Sequence, residues 1–543
     1  MHRTAFVYAL TIGLVLTLVP PCPAQAPKTD ATKAPPAAPE VWVSPIVSNA
    51  ADDPRPAASQ TLAIMGTRNG CFSGRVAVQS GSAIKGLKAT CSALAADGAT
   101  IPAANVRLRY AVRWDPSWDV RSNRLDVLLE APPAEVPAPS KSAALAAVWI
   151  TVDVPRDAKA AVYKGTLTVQ ADGLPAKTVP VELTVADWTL PDPQDYTTII
   201  EMVQSPDALA MEYNVPLWSE RHWKLIAESF DRVQGLGCRN VYVPLLARTN
   251  FGNEESMVRW IKKTDGQYEY DFSIMDKYLD LARDHLGTLK MVTFQAWEVY
   301  LADKNDSSIS FRNREAAKEG REELKGQGPR VTVLDRATGK TEMVYLPRFS
   351  DPASKALWQP LFDELRNRLK ARGLEKTMYL GVVSDVLPSK EDVTFLKEVS
   401  GDLPWVSHAH PGRLRGRPPV GNQALHKIAD IAYEAHVYNL NFQVNPEKGR
   451  QYGWRQPQME VRFARNGWPN YSSDCDLHLL PEFNITGGQR GLGRIGIDVW
   501  YVTKDNRGRR AGAPYHRYPE VGWRNLDIES WMLAPAADGP VST

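Results

Sequence analysis

Residues 197–205, TTIIEMVQS, are a short apolar run that ends on polar side chains. The same form recurs at RNVYVPLLA (239–247), LKMVTFQAW (289–297), TMYLGVVSD (377–385), LPWVSHAHP (403–411), IAYEAHVYN (431–439), LHLLPEFNI (477–485) and RIGIDVWYV (494–502). Apolar runs of this length, bounded by turn residues, read as strands. Between them lie helical stretches: Ser219 to Leu236, with a Ser cap and Gly237 as a stop, Ser273 to Leu286 before Gly287, Asp351 to Arg372 before Gly373, and Ser389 to Glu398. Eight strands coupled to Gly-terminated helices are what a parallel (β/α)8 barrel needs, so residues 191–543 are expected to form a TIM-type barrel.

Upstream the rhythm differs. From Leu62 to Ala186 the chain alternates over short runs, RVAVQS (75–80), VRLRYAVRW (106–114), AAVWITVDV (146–154), KGTLTVQ (164–170) and TVPVELTVADW (178–188). Period-two alternation broken by Gly, Pro, Asp and Asn signals a β-sandwich, here residues 61–190, with LPDPQDY (190–196) as the boundary. Residues 27–60, dense in Ala, Pro and Asp, read as a linker. At the N-terminus His2 and Arg3 precede an apolar run from Thr4 to Val19 and then PPCPAQA, the form of a signal peptide over residues 1–26, cleaved after Ala24 or Ala26. The chain is therefore expected to be secreted or periplasmic, without membrane insertion, because no stretch reaches the roughly 20 apolar residues of a span.

Charge excludes other partners. Against 64 basic residues stand 62 acidic ones, a net charge of +2 over 543 residues, which gives no electrostatic basis for binding nucleic acid. The 43% hydrophobic content excludes a wholly disordered chain. After the signal four cysteines remain, Cys71, Cys91, Cys238 and Cys475, without metal-site spacing; Cys71 and Cys91 are either a pair or free thiols. The sequence leaves the oligomeric state open.

In such a barrel the site is built at the carboxyl ends of the strands. There the sequence offers Glu201, Gln204, Ser205 and Asp207 after the first strand, Arg248, Thr249 and Asn250 after the second, and Gln295, Trp297 and Glu298 after the third. Ser384 and Asp385 follow the fourth, His408 and His410 the fifth, His436 and Tyr438 the sixth, Glu482 and Asn484 the seventh, and Asp498, Trp500 and Tyr501 the eighth. Carboxylates, amides and tryptophans at one rim suit a sugar, whose C–H face packs on aromatic rings while its hydroxyls take hydrogen bonds. Asp385 and Glu482 are the expected catalytic carboxylates; Glu201, Gln204, Asn250, Trp297, Glu298, His408, His410, Asn484, Asp498 and Trp500 are the expected sugar-binding set. Each has a structural alternative: Asp385 as a turn cap before Pro388, Glu482 as the ion-pair partner of Arg490 or Arg494, Trp297 as buried filler. His408 and His410 share one strand face, yet without a third ligand no metal is assigned. GGQRGLGRIG precedes a strand, so it is no dinucleotide fingerprint, and no cofactor is expected. The polar stretch 303–348 is longer than an ordinary loop and is expected to be a lid insertion.

The strings LPDPQDYTTIIEMVQSPDALAMEYNVPLWSERHW, RNVYVPLLARTNFGNEESMVRWIKKTDGQYEYDFSIMDKYLDLA, YLGVVSDVLPSKEDV and PEFNITGGQRGLGRIGIDVW resemble secreted bacterial proteins of glycoside hydrolase family 123. The likeness runs from Arg68-Asn69-Gly70 to the C-terminus. It implies a sandwich plus TIM barrel that removes β-linked N-acetylgalactosamine by substrate-assisted chemistry. In that chemistry the sugar's acetamido oxygen attacks the anomeric carbon, an Asp orients the acetamido group, and the Glu directly after it protonates the leaving oxygen. Here Asp385 is followed by Val386, so Asp385 matches the orienting carboxylate and the acid is missing. Glu482 is the first substitute, with Glu298 and Asp498 behind it. Two rivals follow: a glycan-binding protein without catalysis, and a metal-dependent hydrolase using His408, His410 and Asp385. By the same resemblance the chain is expected to stop short of the barrel's last helix.

Overall fold

The computed structural model describes residues 39–46, 48, 50, 53, 60–113, 125, 127–139, 143–301, 324, 326–383, 388–407, 431–434, 481, 491–518, 520 and 531–542. Its N-terminal region is sheet-rich. One sheet runs Glu40–Ser44, Gly70–Ser80, Ala144–Val154, Val106–Val112, Val127–Leu129, with every neighbouring pair antiparallel. The other runs Leu62–Arg68, Leu174–Thr189, Val162–Ala171, Leu94–Ala96, Ala99–Ile101, with Lys88–Cys91 also on Val162–Ala171. Leu62–Arg68 pairs in parallel with Leu174–Thr189.

The two sheets share one apolar core because their strands alternate. Tyr163, Leu167 and Val169 are buried while Lys164 and Gln170 are exposed. These three meet Val76, Val78, Val148, Ile150 and Val152 of the other sheet in a single cluster; each such side chain contributes about 1.5–3 kcal/mol on burial. Asn69, at φ 60, turns the chain between Leu62–Arg68 and Gly70–Ser80. Its amide donates to the Leu190 carbonyl and to Asp192 Oδ1, both at 2.9 Å. This fastens the sheets to the boundary segment, and the Arg232–Glu130 ion pair at 2.5 Å adds a second tie to the following region.

Beyond residue 196 the main sheet is parallel. Asn240–Pro244, Met291–Gln295, Met378–Val382, Trp405–Ser407 and Ile431–Glu434 form one sheet in chain order. Ile199–Val203 pairs in parallel with Gly491–Gly496 and reaches the first sheet through an Ile200–Cys238 bridge. Asn240 reinforces that junction, its amide accepting from Met202 N at 3.1 Å and donating to Met202 O at 3.0 Å. Except for Pro481, the expected seventh strand lies outside the described residues. Ile199 and Val406 nevertheless share a small cluster with Met291 and Tyr379, so the first, third, fourth and fifth strands meet on one side. Above them Val203, Tyr242, Val383 and Val499 form a second layer.

The helices follow the sequence signals. Glu220–Val233 is capped by Ser219 Oγ, which accepts from His222 N, and ends through a 3₁₀ turn at Gly237 with φ 78. Lys390–Ser400 is capped by Ser389 and ends on left-handed Gly401. Ser273–Leu286 and Ser354–Ala371 are the other two. The short helix Pro206–Glu212, capped by Ser205, has no counterpart in the expectation. Of the expected insertion 303–348, residues 324 and 326–348 are described. They hold a hairpin, Arg330–Leu334 with Thr341–Tyr345, which joins Arg259–Lys262 and Tyr268–Asp271 in a four-stranded sheet. At the other end Trp531–Leu533 runs beside the eighth strand's exit, with Met532 N bonded to Gly496 O at 3.0 Å and Leu533 N to Ile497 O at 2.9 Å.

Candidate functional site

The carboxyl ends of the parallel strands carry buried polar side chains that bond to one another. Glu201, fully buried on the first strand, accepts a 2.5 Å hydrogen bond from Tyr242 of the second. Asp498, after the eighth strand, is also fully buried. Its Oδ1 accepts from Ser205 N at 2.6 Å, and its Oδ2 from Ser229 Oγ at 2.6 Å and Gln204 Nε2 at 3.3 Å. Burial pushes its carboxyl up to about 7, against the pull of these donors. Gln204 in turn accepts from Tyr278 at 3.1 Å. Both of the expected sugar ligands Gln204 and Asp498 are thus engaged in joining the first strand, the eighth strand and helix Glu220–Val233.

A second group surrounds the end of the third strand. Glu298, 1% exposed, accepts from Asn250 N at 2.8 Å, Val299 N at 2.7 Å and Asn250 Nδ2 at 3.4 Å. Desolvation raises its carboxyl to about 7, against these N–H donors and the nearby Arg330 charge. Asn250 Nδ2 also donates to Val383 O at 3.0 Å, the end of the fourth strand. Next to Glu298, Trp297 is 1% exposed and donates Nε1 to Asp392 Oδ2 at 3.1 Å, in the first turn of helix Lys390–Ser400. Trp500 is fully enclosed, its Nε1 donating to Leu533 O at 2.8 Å. For both tryptophans this geometry supports packing: a sugar platform needs an open ring face, and neither ring has one.

Glu298 and Asp498 have the near-neutral pKa of a general acid but not its placement. An acid must reach the leaving oxygen within about 2.6–3.2 Å, whereas each of these carboxylates is enclosed and both its oxygens accept protein donors.

Among the described residues two buried polar atoms on the third strand have no partner, Thr293 Oγ1 and Gln295 Oε1. They crowd Gly381 of the fourth strand, where an added Cβ would lie 2.7 Å from Thr293 Cγ2 and 2.8 Å from Gln295 Oε1. Further out, a charged network closes over the second strand. Arg517 pairs with Asp207 at 2.7 Å, Arg248 with Glu254 at 2.7 Å and Arg330 with Glu520 at 2.7 Å. Tyr242, Asp392, Glu254 and Arg517 were not among the expected site residues. Tyr242 sits inside an apolar run and Asp392 reads as an ordinary first-turn acid, so neither carries a local signal.

Asp385, Glu482, His408, His410 and Asn484 lie outside the described residues. Among the described residues no group of three or more His, Cys, Asp or Glu is placed to hold a metal ion. Cys71 and Cys91 are free thiols, both pushed up to about 11, chiefly by burial. Among the described residues no helix is long and apolar enough to cross a membrane.

Residues 204–400 match the family model described as glycoside hydrolase 123, catalytic domain. A family 123 glycoside hydrolase from Clostridium perfringens, whose structure was described for glycolipid glycan hydrolysis, is similar in fold: TM-score 0.64, 15% identity, 92% of this chain and 84% of that one covered. The chain is glycoside hydrolase family 123-like. A glycoside hydrolase family 5 xyloglucanase from Bacteroides ovatus aligns over 89% of this chain and 98% of its own at 10% identity, with a TM-score of only 0.23. No curated protein matches the sequence significantly. The family 123-like span takes in Asn250, Trp297, Glu298, Val383 and Asp392, so the bonded group around the third strand belongs to the catalytic-domain match.

Proposed function

We propose that this chain is a secreted glycoside hydrolase acting on a β-linked N-acetylhexosamine or a related glycan, on a closed (β/α)8 barrel preceded by a β-sandwich. The observation that carries the reading is the catalytic-domain match over 204–400, within which Asp385 follows the fourth strand. In the proposed reaction the acetamido oxygen of the sugar attacks its anomeric carbon and the bond to the leaving oxygen breaks. Asp385 orients the acetamido N–H and offsets the positive charge of the cyclic intermediate, which water then opens, its proton passing to the Glu482 carboxylate. Glu482 protonates the leaving oxygen in place of the acid that Val386 lacks. His408, His410 and Asn484 contact the sugar, whereas Glu201 is fully buried against Tyr242. The layered contacts of Ile199 with Val406 and of Val203 with Val383 and Val499 support barrel closure, and the core shared by the two N-terminal sheets supports the sandwich. Export rests on residues 1–26.

The test is hydrolysis of a panel of aryl β-glycosides, including the N-acetylgalactosaminide, by wild type and Asp385→Asn. Turnover lost in the variant with sugar binding retained supports the assignment; equal turnover in both sinks it. Val386 favours one second reading, a glycan-binding protein that keeps the barrel without hydrolysis. That reading is supported by sugar binding without turnover in wild type.

A further inference from the structure

Trp297 and Glu298 are adjacent in sequence, and their side chains reach opposite flanks of one short segment. Glu298 holds Asn250 through two donors, Asn250 N and Nδ2, and Asn250 holds the Val383 carbonyl at 3.0 Å. Trp297 holds Asp392 at 3.1 Å, and Asp392 N is itself fixed by Ser389 Oγ at 3.0 Å. Between Val383 and Asp392 lie only eight residues, among them Asp385. All four residues of the grip, Asn250, Trp297, Glu298 and Asp392, are at least nine-tenths buried, so water competes little for these bonds.

We propose that Trp297 and Glu298 are positioning residues, which fix the segment carrying Asp385 by gripping it at Val383 through Asn250 and at Asp392 directly. The proposal rests on the catalytic role given to Asp385 above. A carboxylate that must meet one acetamido group needs its backbone held to a fraction of an ångström, since misplacement by about 1 Å costs roughly a hundredfold in rate. Glu298 serves this because three N–H groups converge on its two oxygens. The grip is one-directional: glutamine in its place would set an amide N–H₂ against those donors.

Two readouts on the full chain test this. Hydrogen exchange of backbone amides at 384–391 is expected to be about tenfold to a hundredfold faster in Glu298→Gln and in Trp297→Phe, with exchange at 144–154 unchanged. On an aryl glycoside that wild type turns over, both variants are expected to lower kcat at least about tenfold while KM stays within roughly threefold. Phe362→Leu, a core change on helix Ser354–Ala371, is the control for general loss of stability and is expected to leave 384–391 no looser than the rest of the region. Unchanged exchange at 384–391 in both variants, or loosening equal to that in the control, overturns the proposal. If exchange responds and wild type shows no turnover, the grip stands and the hydrolase reading falls.

Discussion

Ser229 donates its hydroxyl to Asp498 Oδ2 at 2.6 Å, across 269 residues of chain. Together with Ser205 N and Gln204 on the same carboxylate, this bond fastens helix Glu220–Val233 to the junction of the first and eighth strands. Truncation by Asp498→Ala would strand three buried donors. A loss of about 3 kcal/mol or more in unfolding free energy is expected, measurable by urea denaturation.

Stability should depend on pH through the same carboxylate and Glu298. Both are raised to about 7 in the folded chain, from ordinary values of 3.8 and 4.5. Between those limits the folded state holds protons that the unfolded chain has released. Their stabilising contribution is complete below about pH 4, declines as pH rises toward 7, and is flat above it. At about 1.4 kcal/mol per unit, these come to roughly 4 kcal/mol for Asp498 and roughly 3 kcal/mol for Glu298. Asp498→Asn should flatten the decline in Tm between pH 5 and 8; an unaltered slope would assign the effect to other groups.

Gly381→Ala places a methyl group against Thr293 and Gln295 at under 3 Å. The expected cost is about 1–3 kcal/mol. Thr293→Ser removes the crowding Cγ2, so the double variant should recover part of the loss, whereas additive losses in a double-mutant cycle would place the strain elsewhere.

Under the proposed roles, removing Glu482 and removing Asp385 should differ by leaving group. Glu482→Gln is expected to retain partial turnover on aryl glycosides with very acidic phenols, which leave without a proton, and to lose roughly a hundredfold or more on poor leaving groups. Asp385→Asn should lose both alike. A Glu482→Gln variant equally slow on every substrate would remove Glu482 from the acid role.

Trp500→Phe keeps an aromatic ring in the core and deletes one bond, to Leu533 O. About 1 kcal/mol of stability is expected to go, with KM for sugar unmoved. A several-fold rise in KM would restore Trp500 to the sugar-binding set.

The first four parallel strands were legible because each is an apolar run followed by a helix with local signals of its own, Ser219 and Gly237 for the first. Glycines and serines act locally, so sequence spacing carries them. The role of a polar residue at a strand end depends on its partner, and the partners here are remote: Asp392 lies 95 residues from Trp297, Asp498 lies 294 from Gln204. Trp297 and Trp500 therefore read as sugar platforms when taken by position alone, since position does not give the direction of a ring. Tyr242, hidden in RNVYVPLLA, gains its meaning only from Glu201 opposite.

The pairing of Ile199–Val203 with Gly491–Gly496 has a consequence for biosynthesis. The two strands are separated by about 290 residues, so the first stays without its neighbour until most of the chain has been delivered. Throughout that interval one edge of the first strand is open, with Ile200 and Met202 beside it. Late closure of so long a loop makes for slow folding and gives a nascent chain every opportunity to pair with the wrong strand, so a holding chaperone should raise the folded yield more than a lower synthesis rate does.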